Sequence, residues 1–262
     1  MEIVFPINNN KYYPMHYKYV LNIFKEFPRT TIKYTKCEYF IVLINGKKCL
    51  FDYSDYFDIA GYNPKQFDFV FKFHLHAGVT YSENVLPFPP ISFYDWDAYL
   101  NSNLSYQLNK NGVSMRQRSY GGATARRDKV RNQLVKTFGK DAKTRKLDQD
   151  LYFLDVEDIS LAVFVPGAQE NMLDRGQFQY MALGVPTISP IIPELLTQGK
   201  FEAGVDYLAC NNDYEDLIEI ILDAQEHPEF LFSLGHSAML KFLDSSSPKA
   251  IYFWFKRLMG DN

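Results

Sequence analysis

The stretch from Leu161 to Glu194 limits what this 262-residue chain can fold into more than any other part of it. It begins with an apolar run, LAVFV, which has the length and β-branched content of a buried strand. A Pro-Gly loop, a helical pattern over roughly 172–183, a Gly-Val-Pro turn and a second short apolar strand follow. This order predicts a βαβ unit and therefore an α/β fold with parallel strands, in which ligands bind at the carboxyl ends of the strands.

The loop after the first predicted strand carries groups that suit a ligand with phosphates and hydroxyls. Glu170 lies in that loop, and Arg175 lies in the first turns of the following helix. Helix amides and a guanidinium group both favour anions, and a carboxylate can accept from sugar hydroxyls. A purely structural βαβ unit with surface charges would carry the same residues, so this pattern alone leaves both interpretations open.

A second block, MRQRSYGGATARRDKVRNQL over 115–134, predicts a strand end, a loop and an arginine-headed helix. Gly121 and Gly122 would let the backbone approach a ligand and present N–H groups to it. Arg118, Arg126 and Arg127 could then offset the charge of a diphosphate. Two glycines bracketed by arginines favour this function over a solvated turn, although a Gly-Gly pair by itself would not.

Together the two blocks resemble the nucleotide-sugar site of GT-B glycosyltransferases, and most closely the C-terminal half of exostosin-like transferases. That family has an arginine, a glycine-containing loop and an arginine-headed helix, then an apolar strand ending in proline, a helical arginine, a small-Val-Pro turn, and a strand with a glutamate. The matching positions here are Arg118, Gly121, Gly122, Arg127, Pro166, Arg175, 184–186 and Glu194. The resemblance covers roughly residues 113–200.

The chain departs from the GT-B pattern at one position. Many GT-B enzymes place a glutamate in the helix after the proline-ended strand, where it holds the nucleotide ribose. Phe178 or Gln179 stands there in this chain, depending on the register. This difference keeps a second interpretation open, namely a glycan- or nucleotide-binding module without catalytic activity.

The resemblance implies an α/β fold of GT-B type: two Rossmann-like domains facing a cleft, with a C-terminal helix that packs back on the N-terminal domain. We expect an acceptor-binding domain over 1–108, a nucleotide-sugar-binding domain over 109–245 and a crossover helix over 246–262. The polar stretch NSNLSYQLNKN over 101–111 indicates the boundary between the domains. In the first domain, Asn45-Gly46 between two apolar runs predicts a β-hairpin.

The resemblance also implies an activity, the transfer of a sugar from a nucleotide donor, expected to be UDP-linked, to a hydroxyl of a glycan acceptor. The reaction would invert the anomeric centre and need neither metal nor cofactor, because the nucleotide sugar is a co-substrate. If Arg127 neutralises the leaving diphosphate, its loss should weaken UDP binding and leave the melting temperature nearly unchanged. The residues expected to bind the donor are Arg118, Tyr120, Gly121, Gly122, Arg126, Arg127, Pro166, Gly167, Glu170, Asn171, Arg175 and Gln179.

Four residues of the first half are candidates for the catalytic base. His74 and His76 lie two apart in an alternating pattern, so on a strand they would face the same side. Either could take a proton from the acceptor, or one could lie in the core and the other at a strand end. Asp95 and Asp97 have the Asp-X-Asp form of metal-dependent GT-A transferases, an alternative that we keep, although an aspartate before an apolar helix is also an ordinary N-cap.

Composition limits the partners of the chain. The formal net charge is −3, from 28 Lys and Arg against 31 Asp and Glu, which gives no electrostatic case for nucleic-acid binding. The 3 cysteines are scattered, which favours a reducing compartment over a disulfide framework. Neither a signal peptide nor an apolar run of ~20 residues is present. We therefore expect a cytoplasmic protein with at most peripheral membrane contact, and its oligomeric state is left open.

Overall fold

The structure is a computed structural model that divides into two compact units. It describes residues 2–6, 20–21, 23–25, 31–35, 40–54, 58–59, 61–89, 111–119, 121–147, 151–152, 154, 156–167 and 172–260. The first unit comprises 1–94, 194–200 and 243–262, and the second comprises 95–193 and 201–242. The boundary expected at residue 108 lies outside the described residues. Residues 194–200 fall in the first unit, whereas the sequence pattern placed them with 109–245.

The helices with described bounds lie mainly in the second half of the chain. They are α1 (Thr124–Phe138), α2 (Arg175–Ala182), α3 (Leu217–Gln225), α4 (Pro228–Ser245) and α5 (Pro248–Met259). Within the described ranges, none combines the length and the hydropathy that crossing a bilayer requires.

The first unit contains, among its described residues, a six-stranded sheet. The strands are β1 (Glu2–Pro6), β2 (Thr31–Thr35), β3 (Ile41–Ile44), β4 (Lys47–Asp52), β5 (Phe69–Lys72) and β6 (Val85–Pro87), in the order β2-β1-β3-β4-β5-β6. Only β3 is antiparallel to its neighbours. The sheet is therefore mixed, unlike the all-parallel sheet of a Rossmann domain, but five strands still share one carboxyl edge.

The antiparallel strand β3 forms the expected β-hairpin with β4. Asn45 and Gly46 connect β3 to β4 with φ angles of 50° and 78°. A two-residue hairpin turn of this type needs positive φ at both central positions, which Asn and Gly tolerate best. The hairpin prediction is confirmed.

An aromatic cluster forms the core on one face of this sheet. Phe255 of α5 has ring centroids 5.0 Å from Phe71, 5.5 Å from Phe24 and 6.1 Å from Phe88. The helix begins at Pro248 after Ser247, whose hydroxyl accepts from the amide of Ala250 as an N-cap. The terminal helix thus packs its buried aromatic face on the first unit.

The second unit contains a five-stranded parallel sheet within its described residues. Its strands are β7 (Gly112–Ser114), β8 (Ala142–Lys143), β9 (Ile159–Val163), β10 (Thr187–Ser189) and β11 (Leu208–Ala209), in the order β11-β10-β9-β7-β8. The chain moves outward to β8 after β7, then crosses back to β9 and continues the other way. This doubly wound order has its switch point between β7 and β9, where such sheets bind ligands. The βαβ unit predicted from the sequence is confirmed as β9-α2-β10.

Both faces of this sheet are covered, which explains the continuous apolar run in the sequence. Leu161 and Val163 of β9 face a core shared with Val130 of α1 and with side chains of α3. Ala162 and Phe164 belong to a second core, on the side of α2. Because β9 has apolar neighbours on both faces, its sequence lacks the alternation of polar and apolar residues that is typical of a half-exposed strand.

In this fold, close packing against α4 constrains the Gly-Val-Pro turn. Gly184 follows α2 with φ of 72°, in the left-handed region that favours glycine. A Cβ on Gly235 of α4 would lie 2.1 Å from the carbonyl oxygen of Gly184 and 3.1 Å from Pro186. The turn and the helix therefore approach each other backbone to backbone.

Candidate functional site

The candidate site lies at the switch point of the second unit, where the loops after β7 and β9 meet. These strands are adjacent and parallel, so the segments that follow them, described over 115–119, 121–123, 164–167 and 172–174, leave the same edge of the sheet. The two sequence blocks that predicted donor binding occupy these two loops. Arg118, Gly121 and Gly122 follow β7, whereas Pro166 and Gly167 follow β9. The fold thus brings the described parts of both blocks to one sheet edge, at the switch point where doubly wound sheets form a ligand-binding crevice.

Gln117 joins the two loops beneath this crevice. Its Oε1 accepts from the amide of Val165 at 2.7 Å, and its Nε2 donates to the carbonyl of Val165 at 2.9 Å. The side-chain amide therefore continues the ladder between β7 and β9 where backbone pairing has ended. Nε2 also donates to Asp174 Oδ2 at 2.6 Å. Gln117 is buried, and no part of the sequence pattern singled it out.

Arg127 is buried among the same groups and is only 2% exposed. Its Nη1 donates to the carbonyl of Arg118 at 2.6 Å, while Nε and Nη2 donate to that of Val165 at 3.2 and 2.9 Å. Nη2 also pairs with Asp174 Oδ2 at 3.2 Å. The guanidinium group holds two loops and a helix start in place. The expectation that its loss would leave the melting temperature unchanged is therefore corrected, because a buried group with these partners stabilises the fold.

Asp174 caps α2 and connects it to the two loops. Its Oδ1 accepts from the amide of Gly176 at 2.8 Å, while Oδ2 accepts from Gln117 and Arg127. A Cβ on Gly176 would lie 3.0 Å from Asp174 Oδ1 and 2.9 Å from Tyr152, so glycine is required beside the cap. The sequence contained a signal for this role that we did not use: an aspartate directly before a helical pattern.

A third arginine of α1 fixes the backbone of the loop after β7. Arg131 Nη2 donates to the carbonyl of Gln117 at 2.8 Å. Its Nη1 donates to Ser119 Oγ at 2.9 Å and to Asp128 Oδ1 at 2.6 Å, and Ser119 donates to Asp128 at 2.5 Å. The basic residues of this block thus divide into inner ones that hold the loops and outer ones that remain at the surface.

The outer rim of the crevice has the properties of an anion site. Arg118, Gly121 and Gly122 are exposed, and a Cβ on either glycine would meet no atom within 4 Å. Helix α1 starts at this rim without a side-chain cap and with no acidic residue in its first turn. Arg126 is half-buried beside it and donates to the carbonyl of Gly167 at 3.3 Å. The positive end of a 15-residue helix is therefore presented next to arginines at an open surface.

The helix position at which GT-B enzymes place their ribose-binding glutamate is buried. Phe178 packs on Phe242 and Phe201, with ring centroids 5.0 and 5.9 Å apart, so it belongs to the core. Gln179 is also buried, at 2% exposure. Arg175, the first residue of α2, is half-buried. The roles of Gln179 and Arg175 in donor binding stay predictions.

Tyr214 is a feature of this region that the sequence did not reveal. It lies in the loop after β11 with φ of 63°, a strained conformation for a large residue, and it is buried. Its hydroxyl donates to the carbonyl of Phe164 at 3.3 Å. Burial raises the pKa of Tyr214 well above its ordinary value, so the phenol stays protonated and keeps this bond. Tyr214 thus helps to hold the backbone directly after β9 in place.

The two candidate histidines lie in the first unit, beyond the end of β5. The expected strand over 68–75 ends at Lys72, so the same-side argument does not apply: His74 lies in a turn and His76 in a bridge with Glu194. His74 is buried and its Nδ1 lies 3.1 Å from Glu194 Oε1. His76 is half-buried, and its Nδ1 accepts from the amide of Gly78 at 3.0 Å.

Several predicted site residues lie outside the described part of the chain. They are Asp95, Asp97, Tyr120, Glu170 and Asn171. Among the residues that are described, no three His, Cys, Asp or Glu side chains are grouped as metal ligands would be.

The fold is similar to solved structures of two known proteins, one of them in two complexes. The Anabaena protein Alr3699/HepE in complex with UDP superposes with a TM-score of 0.52 at 13% identity, over 76% of this chain and 65% of that one. Its complex with UDP and glucose gives a TM-score of 0.50 at 12% identity, over the same shares. TarM gives 0.51 at 13% identity, over 83% of this chain and 51% of that one. The chain thus spans less than two thirds of either neighbour.

At this level of identity the likeness concerns the fold alone. It supports a mixed α/β architecture with parallel strands. No family model matches the sequence, and no curated protein matches it either. The particular closeness to exostosin-like transferases stays a prediction.

Proposed function

We propose that this chain carries the donor site of a glycosyltransferase that moves a sugar from a UDP-linked donor to a hydroxyl of a glycan acceptor. The observation that carries the proposal is the switch point between β7 and β9, where described residues of both blocks that were predicted to bind anions lie on one sheet edge. The fold gives support, since its neighbour HepE was solved with UDP bound. The net charge of −3 gives no electrostatic reason to propose nucleic acid as the ligand instead.

The start of α1 is the best place for the diphosphate. Both α1 and α2 begin at this sheet edge. Asp174 already accepts from the amide of Gly176 in α2, whereas α1 follows a 3₁₀ turn over Gly121–Ala123 and has no side-chain cap. A diphosphate there would accept from backbone N–H groups beside Gly121 and Gly122. Arg118 at the exposed rim and Arg126 beside it would offset its charge. Gln117, Arg127 and the cap of α2 would keep the loops in shape without touching the ligand.

The proposed reaction inverts the anomeric centre. The acceptor hydroxyl gives its proton to a catalytic base as its oxygen attacks the anomeric carbon. The bond from that carbon to the diphosphate oxygen breaks, and its electron pair leaves with UDP. Preorganised donors facing the leaving oxygen are typically worth about 3–4 kcal/mol each when placed correctly. With α1 and the arginines in this role, no divalent metal is required. Glu170 and Asn171 stay our candidates for the hydroxyls of the donor sugar, and Tyr120 and Gln179 for other parts of the donor.

The test is turnover with a panel of UDP-sugars, measured as UDP release with p-nitrophenyl glycosides as acceptors, with and without EDTA. We expect UDP release that depends on acceptor and survives EDTA. UDP binding with no release from any donor would replace the proposal by a non-catalytic nucleotide-binding module. Loss of turnover in EDTA, restored by manganese, would favour the GT-A alternative with Asp95 and Asp97.

A further inference from the structure

The first unit contains an open groove beside the exposed face of α5. The groove has a volume of about 680 Å³ and lies between that helix, the last residues of α4 and the segment 194–200, all of which belong to the first unit. The side chains that line it include Leu243, Asp244, Lys249, Phe253, Lys256 and Arg257. A concave site of this size is large enough for a small organic ligand.

Hydrogen bonds hold the walls of the groove in place. Gln198 Nε2 donates to the carbonyl of Asp244 at 2.9 Å, which joins the segment 194–200 to the end of α4. Ser247 Oγ donates to the carbonyl of Leu243 at 2.7 Å, which joins the end of α4 to the start of α5. Because the fold itself forms these walls, a ligand would not have to order them.

Positive charge predominates in the groove. Its lining contains three cations, Lys249, Lys256 and Arg257, against the one carboxylate of Asp244. Among the residues that the structure describes, no carboxylate forms an ion pair with any of the three cations. Lys256 Nζ lies 6.0 Å from the ring centroid of Tyr252. The excess of positive charge favours an anionic ligand.

The position of Lys249 is not explained by the stability of α5. Lys256 and Arg257 lie in the last turn of the helix, where the helix dipole favours cations. Lys249 is instead the second residue of the helix, where the dipole disfavours a cation, and the first turn has no acidic residue that would offset it. An anion bound in the groove would offset this charge.

Apolar side chains lie beside these cations. Phe253 follows Lys249 by four residues and precedes Arg257 by four, so the three side chains share one face of α5. Phe253 is 50% exposed, and Leu243 on the α4 side of the groove is 36% exposed. An inorganic anion would leave both in contact with water. A ligand with an apolar part next to its charge would cover them.

We propose that this groove binds a phosphate monoester whose phosphate lies among the three cations and whose apolar part lies on Phe253 and Leu243. Three cations against one carboxylate leave an excess of two positive charges, and a phosphate monoester carries about two negative charges at neutral pH. Its three free oxygens can accept from Lys and Arg at the same time. The inference does not depend on the proposed glycosyltransferase function, because the groove and the donor site belong to different units.

NMR titration of the full chain with hexyl phosphate and with inorganic phosphate tests the proposal. We expect hexyl phosphate to bind about tenfold more tightly than inorganic phosphate, since the burial of only two methylene groups accounts for that factor. Equal affinity for the two probes would contradict a site with an apolar part.

Variants of exposed residues locate the binding. Lys249→Gln and Arg257→Gln should each weaken the binding of both probes about three- to fivefold, as is typical for loss of an exposed ion pair. Phe253→Ala should remove the advantage of hexyl phosphate and leave the affinity for inorganic phosphate unchanged. Lys65→Gln and Phe230→Ala, which also change exposed residues, are the matched controls and should bind both probes as the unmodified chain does. All five variants should keep the melting temperature of the parent.

Sedimentation with phosphatidylcholine vesicles, with and without phosphatidic acid, distinguishes the sources of such a phosphate. Binding only to vesicles with phosphatidic acid, weakened in Lys249→Gln and Phe253→Ala, would assign a lipid headgroup. Binding of hexyl phosphate without vesicle binding would assign a soluble phosphate ester.

Two further results would overturn the inference. One is the absence of binding to both hexyl phosphate and the vesicles. The other is binding that Lys249→Gln and Phe253→Ala leave unchanged, because the phosphate would then lie elsewhere on the protein. Failure of the unmodified chain to bind UDP would count against the proposed function and not against this groove.

Discussion

At the scale of single residues, the polar side chains of the candidate site divide into an inner set and a surface set. Arg127, Gln117 and Asp174 bond to each other or to the same carbonyl, that of Val165, beneath the crevice. Arg118 lies at the exposed rim. Residue type alone would give Arg118 and Arg127 the same role. Their different burial indicates that the two side chains have different roles. The buried set acts on stability first, and the surface set acts on ligand affinity.

Replacement of Arg127 by alanine should destabilise the protein. The carbonyls of Arg118 and Val165 and the carboxylate of Asp174 would each lose a donor, at about 1–3 kcal/mol for an acceptor left without any partner. We expect the melting temperature to fall by several degrees in a thermal scan. Arg126→Ala, which removes a half-buried arginine one position earlier, is the matched control and should change it much less. Equal melting temperatures for the two variants would contradict the buried role of Arg127.

The sequence pattern singled out outer residues of the candidate site and missed Gln117 and Asp174, for a physical reason. Glycines and helix starts are local signals, so the loop with Gly121 and Gly122 and the βαβ unit could be recognised from neighbouring residues. Gln117 bonds to a residue 48 positions away and to Asp174 57 positions away. Because partners at that separation meet only after the sheet has formed, no pattern among neighbouring residues predicts their contact.

At the scale of elements, the two helices that begin at the crevice differ in how their first amides are satisfied. Helix α2 is capped by Asp174, whereas α1 starts through a glycine turn without a side-chain cap. A helix capped by the protein's own carboxylate has little to offer a phosphate, since the anion site is already filled. This difference is the reason why we propose α1, and not α2, for the donor diphosphate, whereas the sequence had singled out the loops before both helices.

The cap of α2 gives a prediction at this scale. Asp174→Ala should lower the free energy of unfolding by about 1–2 kcal/mol for the lost cap alone, and further because Gln117 and Arg127 lose an acceptor. Asp174→Asn keeps an oxygen for the cap and should lose less. Urea denaturation measures both, with the exposed Asp223→Ala as a control that should stay within about 0.5 kcal/mol of the parent. A cap variant as stable as that control would contradict the role of Asp174.

At the scale of the whole molecule, the fold class followed from the sequence, whereas the path of the chain between the two units did not. The parallel second sheet was expected from the apolar strand and its βαβ pattern. The assignment of 194–200 to the first unit was not expected, because the pairing of Leu195 with Leu75 joins residues 120 positions apart, which no local pattern predicts. That return brings Glu194 to His74. The chain thus has a candidate anion site in one unit and a candidate base in the other.

Calorimetric titration of UDP into the protein tests the donor site most directly. We expect UDP to bind, and Arg118→Ala to bind it about 10–100-fold more weakly, since a hydrogen bond to a charged group is worth about 1.5–3 kcal/mol. Lys136→Ala removes an exposed cation from the far end of the same helix and should bind UDP as the unmodified chain does. Absence of UDP binding, or equal affinity in the Arg118 variant, would contradict a donor site at the start of α1.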